Sequence, residues 1–168
     1  MKKLLLILIA LPMIGFGQQT YVPDDNFEQA LIYFGYDNVL DDYVITANIV
    51  GVTFLNVSNR NISDLTGIED FDSIHTLACV TNQLTSLDVS QNTVLTDLRL
   101  WNNNLSSLDV SQNTTLEQLY CDNNQLTSLD VSANTALTDL DCSSNNLSTL
   151  DVSANTALTD LDCSSNNL

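Results

Sequence analysis

Apolar residues return at fixed intervals along the second half of the chain. From Leu84 the segment LTSLDVSQNTVLTDLRLWNNN is followed by LSSLDVSQNTTLEQLYCDNNQ from Leu105, LTSLDVSANTALTDLDCSSNN from Leu126 and LSTLDVSANTALTDLDCSSNN from Leu147, a period of 21 residues. Each block holds the spacing LxxLxLxxN twice, once over Leu84, Leu87, Val89 and Asn92 and once over Leu95, Leu98, Leu100 and Asn103. The alternation of Leu98, Arg99 and Leu100 has period two, which predicts short strands with one buried face rather than helix. Two such extended segments are expected in each coil, parallel to and in register with their counterparts in the next. A unit this short buries its apolar face only by stacking on its neighbours, so the pattern predicts a solenoid. Strand positions beginning at Val52, Ile74, Leu95, Leu116, Leu137 and Leu158 give six coils, the last incomplete.

Polar positions repeat as strictly as the apolar ones. Asn82, Asn103, Asn124, Asn145 and Asn166 make one ladder, and Asn92, Asn113, Asn134 and Asn155 a second. A side chain with both a donor and an acceptor can bond the turn backbone of its own coil and of a neighbour, satisfying groups that a tight turn would otherwise bury unpaired.

These motifs resemble the leucine-rich repeat family, and within it the bacterial class of nested 21-residue repeats, LxxLxCxxNxLxxLDVSxNTA, in register from Ile74 to Leu168. The stretch VTFLNVSNRNISDLTGIEDFDS, from Val52 to Ser73, looks like one longer unit of the internalin type, with Val52, Leu55, Val57, Ile62, Leu65, Ile68 and Phe71 as its framework. The expected fold is a leucine-rich repeat solenoid: right-handed, built of parallel β-sheet coils, mostly β, with one short N-terminal capping helix. The resemblance further implies that the main sheet lines a concave face used for ligand contact.

The segments ahead of the repeats differ in composition. Lys2 and Lys3 precede an apolar run from Leu4 to Phe16, and Gly15-Phe16-Gly17 supplies small residues where signal peptidase reads. Residues 1–17 are expected to be a signal peptide, leaving Gln18 first, with export to a secreted or cell-surface location and no membrane insertion after cleavage. An uncleaved anchor is the alternative, although a span needs about 20 apolar residues. Residues 18–51 are expected to form the N-terminal cap, and residues 52–168 the repeats. Asp24 and Asp25 are good N-caps before NFEQALIYF, where Phe27, Ala30, Leu31 and Phe34 share one helical face and Gly35 can end the helix. VPDDNFEQAL resembles the cap of secreted bacterial leucine-rich repeat proteins. At the other end Leu158, Leu161, Cys163 and Leu168 are expected to face solvent, so the chain reads as a truncated product. The resemblance implies that longer relatives continue into further repeats and a type IX sorting domain.

Charge narrows the partners. Loss of residues 1–17 leaves Arg60 and Arg99 against 21 acids, 2 minus 21 or a net charge of −19. Nucleic acid and anionic membrane surfaces are excluded as partners on that ground. Asp88, Asp109, Asp130 and Asp151 stack on one half of the repeat and Asp139, Asp141, Asp160 and Asp162 on the other, where like charges at strand spacing repel by about 1 kcal/mol per pair in water. Solvation and hydrogen bonds from adjacent Ser and Thr are the expected remedy; a calcium-dependent structural or adhesion element of the cell surface is the alternative. No DxDxDG loop or GGxGxD nonapeptide occurs, and neither a metal site nor a cofactor is expected. Cys79, Cys121, Cys142 and Cys163 take the second inward position of the strand, with Leu100 in the missing rung. Parallel, in-register side chains point the same way, so buried free thiols are expected rather than disulfides.

Differences between the repeats carry the functional signal. The outward strand positions read Thr76, Ala78, Val80; Asp97, Arg99, Trp101; Gln118, Tyr120, Asp122; Asp139, Asp141, Ser143; and Asp160, Asp162, Ser164. Arg99, Trp101, Tyr120 and Asp122 are therefore expected on adjacent rungs of one surface, and Trp, Tyr and Arg dominate binding energy at interfaces. They are the candidate ligand-binding patch, for a protein or glycan of unknown identity; the bland alternative is an Arg99–Asp122 pair under aromatic cover. His75 falls outside the strand positions and is expected at the surface. An enzyme is not expected: Asp139 and Asp141 could mimic two acidic catalysts, but an open face neither excludes water nor raises a carboxylate pKa, and no catalytic residue is assigned.

Overall fold

The structure, a computed structural model, describes residues 17–168. The expected signal segment, apart from Gly17, lies outside the described residues. Strands β1 (Gln19–Tyr21) and β2 (Tyr43–Ile45) pair antiparallel and bracket helix α1 (Asp25–Phe34). Single 3-10 turns follow at Thr46–Asn48 and, within the first coil, at Ile68–Asp70. Strands β3 (Phe54–Asn56), β4 (Thr76–Ala78), β5 (Asp97–Arg99), β6 (Gln118–Tyr120), β7 (Asp139–Asp141) and β8 (Asp160–Asp162) then form one parallel sheet in sequence order. The register is strict: Leu55, Leu77, Leu98, Leu119, Leu140 and Leu161 face one another rung by rung.

Helix α1 starts and stops where its sequence dictates. Asp24 Oδ1 accepts the N–H groups of Asn26 and Phe27, both at 3.0 Å, the N-cap bond that satisfies otherwise orphaned donors. Its Oδ2 accepts Ser63 N and Oγ, each at 2.8 Å, and Asp64 N at 3.1 Å, so one carboxylate ties the helix to the first coil. Burial alone would raise the Asp24 pKa, but these bonds hold it below the usual carboxylate value. Gly35 closes the helix in the left-handed conformation, φ 80°. Phe27, Ala30 and Leu31 are buried, and Phe27 stacks on Phe71 of the first coil at 6.4 Å, joining cap and repeats in one core. Phe34, expected on that face, is instead exposed; Glu28 is buried in the cap, its two oxygens accepting Asp41 N at 2.9 Å and Asp42 N at 3.1 Å. A hydrophobicity pattern cannot register a carboxylate that a distant loop will satisfy. Gly67, at φ 103°, lies against the cap strand so closely that a Cβ would stand 2.8 Å from Tyr21 O.

The asparagine ladders differ in the bonds they make. Asn103 Oδ1 accepts Leu84 N at 3.1 Å, while its Nδ2 donates to Cys79 O and Leu100 O at 2.9 Å, bridging its own coil and the one before; Asn124 and Asn145 repeat the pattern. Asn113 Nδ2 donates to Val89 O at 3.0 Å and Asn92 O at 2.9 Å, but the Oδ1 of each member of this second ladder has no partner among the described residues. The residue before each sheet-side ladder asparagine sits at positive φ: Thr81, Asn102, Asn123, Ser144 and Ser165, between 52° and 57°. Asn suits this conformation and β-branched Thr81 does not.

Only one segment per coil becomes a strand, against the expectation of two. In LTSLDVS the Asp88 carboxylate accepts Ser90 N at 2.9 Å, and Val89 O accepts Asn92 N of its own coil and the Asn113 side chain, both at 3.0 Å, rather than a backbone N–H of the next coil. Local side-chain bonds of this kind compete with ladder pairing. The same turn recurs at Asp109, Asp130 and Asp151. The serine N–H and hydroxyl groups hold these four carboxyls below their usual pKa, the hydrogen bonding expected to offset their stacking.

Cys79, Cys121 and Cys142 are buried and Cys163 is half-buried, all as free thiols. Cys163 is half-exposed and Leu161 and Leu168 beside it are exposed, as expected for the solvent-facing last coil, so only three of the four thiols are fully buried. Burial pushes the Cys79, Cys121 and Cys142 thiols up, Cys142 to about 12. Alkylation of the native protein is therefore expected to modify Cys163 first and the other three only after denaturant is added, as mass spectrometry would show; rapid labelling of Cys121 would contradict the packing.

Candidate functional site

The outward side chains of β4 to β7 make the face on which the candidate patch lies. On a strand, alternate residues share a face, and the same position on the next coil lies one strand spacing away. Arg99, Trp101, Tyr120 and Asp122 are all half-buried. Trp101 meets Tyr120 edge-on, with ring centroids 6.1 Å apart at 81°, and the Arg99 guanidinium carbon lies 6.0 Å from the Tyr120 centroid. Asp122 follows on the rung beside Trp101, the two coils being joined there by Asn102 N donating to Asp122 O at 3.2 Å.

Arg99 pairs with Asp97, not with Asp122. Its Nε donates to Asp97 Oδ1 at 2.9 Å and its Nη2 to Oδ2 at 2.6 Å, a two-pronged bond along one strand face that raises the guanidinium pKa further. The signal was available in sequence, since residues i and i+2 of a strand are neighbours on one face. Asp122 is left without a cation; its Oδ2 accepts Asn123 Nδ2 at 2.8 Å. Burial first, then the charge of Asp141, raises its pKa. Burial and Asp139 raise the Tyr120 hydroxyl in the same way.

The sign of the Asp122 shift gives a test. A carboxyl whose folded pKa lies above its unfolded value stabilises the fold less as pH rises through the folded pKa. Asp122→Asn is accordingly expected to raise the melting temperature at pH 7, with the gain vanishing below about pH 3.5, where Asp is protonated in both states. A melting temperature that falls at pH 7 would mean that the charge is needed for the fold.

Next to the patch the face turns acidic. Tyr120, Asp139, Leu140, Asp141, Asp160 and Asp162 border a shallow recess of about 240 Å³. His75 is exposed, with Nδ1 2.7 Å from Ser73 O. A second aromatic cluster, which the sequence pattern did not reveal, lies on the cap: the Arg60 guanidinium carbon is 4.8 Å from the Tyr33 ring centroid and 5.2 Å from that of Phe34. Its only sequence trace is the aromatic run at the end of α1. Among the described residues no three His, Cys, Asp or Glu side chains converge as a metal ion would require, and no helix is long and apolar enough to cross a membrane.

Six parallel strands stacked through leucine rungs and asparagine ladders, with a helix lid at one end, define a leucine-rich repeat solenoid. Part of the chain is similar to internalins. Internalin J of Listeria monocytogenes serotype 4b (strain F2365) is 42% identical over 73 residues, which cover 44% of this chain and 8% of that protein. The solved functional domain of internalin J from Listeria monocytogenes, which includes a cysteine ladder, is 29% identical with a TM-score of 0.50, over 89% of this chain and 48% of that one. An internalin, InlF, from the same species is 24% identical with a TM-score of 0.79, over 87% of this chain and 44% of that one. The LRIM1/APL1C complex contains a chain that is 27% identical with a TM-score of 0.67, over 73% of this chain and 25% of that one. No family model matches the chain. This chain thus spans less than half the length of the relatives it resembles.

Proposed function

We propose that this protein is a secreted or cell-surface binding scaffold that captures a protein partner on the concave sheet, through Arg99, Trp101, Tyr120 and Asp122. The observation that carries this reading is the contact of Trp101 with Tyr120 and of Tyr120 with Arg99, beside a stretch of the face on β7 and β8 whose outward positions hold only Asp and Ser. Aromatic and arginine anchors grouped at the centre of a surface are the usual seat of binding energy. The leucine-rich repeat fold, common as a protein–protein scaffold, supports the reading, as does the occurrence of one structural relative in a complex. An exported location rests on residues 1–17, whose composition is that of a signal peptide.

The test is a screen of the full chain against arrays of extracellular proteins and of polysaccharides, reading Trp101 emission, since this is the only tryptophan. Protein binding that shifts the emission and is lost in Trp101→Ala is the expected result. Binding that leaves both unaffected would put the interface off this sheet, and a response confined to polysaccharides would make the protein a glycan receptor. Recovery from the culture medium of a chain beginning at Gln18 would establish export; retention of residues 1–17 in the medium would overturn the cleavage.

A further inference from the structure

The repeat supplies an internal comparison. On β5 the two outward strand positions hold Asp97 and Arg99, and the guanidinium lies in the carboxylate at 2.6–3.1 Å while approaching the Tyr120 ring at 6.0 Å. On β7 the same two positions hold Asp139 and Asp141, in register with Asp97 and Arg99 through β6. The acid of the pair is retained and its arginine is replaced by a second acid. No base of the described chain makes up the loss: the only strong bases there are Arg99, bound to Asp97, and Arg60, lying over Tyr33 and Phe34.

The two carboxylates are each half-committed. Asp141 Oδ1 accepts Ser143 N at 3.0 Å and Asp139 Oδ2 accepts Thr138 Oγ1 at 2.8 Å, which fixes their orientation and leaves the other oxygen of each as a free acceptor. Tyr120 forms the wall between this pair and Arg99, and the 240 Å³ recess lies on the acidic side of its ring. We propose that this recess takes an arginine side chain from the protein partner, its guanidinium on Asp139 and Asp141 and its stem along Tyr120. The partner thereby reproduces in trans the arrangement that Asp97, Arg99 and Tyr120 make within the chain. This rests on the reading of the concave sheet as a protein-binding face and names the chemistry of what binds: a segment with an arginine next to an apolar group that meets Trp101. Arginine is favoured over lysine because its planar fork matches paired carboxylate oxygens and stacks on an aromatic ring, where an ammonium is a point charge.

A hexa-arginine peptide titrated into the full chain at physiological salt tests the assignment, with hexa-lysine and calcium chloride as parallel probes and with calorimetry and Trp101 emission as readouts. Hexa-arginine is expected to bind about 10-fold more tightly than hexa-lysine and to perturb Trp101. The double variant Asp139→Asn/Asp141→Asn is expected to lose about 10-fold in affinity, whereas Asp109→Asn/Asp130→Asn, which removes the same charge from the turn segment, changes it by less than about 3-fold. Asparagine keeps the acceptor that each of these turns uses, and circular dichroism verifies the fold of both variants. Equal losses in the two variants, no binding of hexa-arginine, or displacement of the peptide by stoichiometric calcium each overturn the site. With a partner from the protein screen in hand, loss of binding in Trp101→Ala but not in Asp139→Asn/Asp141→Asn overturns the arginine site alone. No loss in either variant overturns the concave-face reading with it.

Discussion

Replacing Trp101 or Tyr120 with alanine is expected to cost about 2 kcal/mol or more in affinity for the protein partner, a loss of some 30-fold in Kd. The two rings meet edge to face at 6.1 Å and are half-buried by each other and by Arg99, so a partner can cover them with little further loss of side-chain freedom. Removing either ring also takes the wall from its neighbour, so the double variant is expected to lose less than the sum of the single losses. Ser143→Ala and Ser164→Ala, at the position equivalent to Trp101 on the next strands but one and two, are expected to change affinity by less than about 0.5 kcal/mol. Surface plasmon resonance on the four variants is sufficient. Similar losses at the serines and the aromatics would move the interface away from this patch.

The second large effect concerns stability, and it separates two ladders that look alike in sequence. Asn124→Ala is expected to destabilise the fold by about 2–3 kcal/mol, since a buried group left unpaired costs about 1–3 kcal/mol. Asn124 Oδ1 accepts Leu105 N at 2.9 Å, and its Nδ2 serves Leu100 O, Cys121 O and Asp122 O between 3.1 and 3.2 Å. Alanine strands the buried Leu105 N–H and leaves a void in the turn, while the three carbonyls each keep one donor, in Asn103 Nδ2, Asn145 Nδ2 and Asn102 N. Asn113→Ala is expected to cost less, about 1–2 kcal/mol, because only its Nδ2 is engaged and its buried oxygen has no partner among the described residues to lose. Urea unfolding followed by circular dichroism measures both. Equal costs would show that the idle oxygen of Asn113 is satisfied as fully as that of Asn124. The loss at Asn124 is expected to spread to both adjoining coils, since each repeat is stabilised chiefly by its neighbours.

What the sequence determined by itself is whatever repeats or closes locally. The leucine at the centre of every strand, the alternation that turns Asp97, Arg99 and Trp101 outward, and the two asparagine series follow from a spacing that recurs each coil, and identical units can stack in register only one way. Helix α1 was equally legible, because an Asp before it and a Gly after it act within a few residues. Tertiary structure decided what depends on one distant contact. The pairing of β1 with β2, which sets Thr20 opposite Val44, 24 residues on, buries Glu28 behind a loop whose N–H groups it accepts, and no periodicity announces this. Phe34 turns out of the core to lie beside Arg60, a residue of the first coil. The second extended segment of each coil never becomes a strand, since the Asp-to-Ser turn and the next coil's asparagine occupy the groups that pairing would need. The patch divides along the same line: spacing put Arg99, Trp101, Tyr120 and Asp122 on one face, but the choice of Asp97 as the arginine's partner was made by side-chain reach. That choice leaves Asp122 and the acids beyond it unneutralised, and so sets the charge of whatever the face receives.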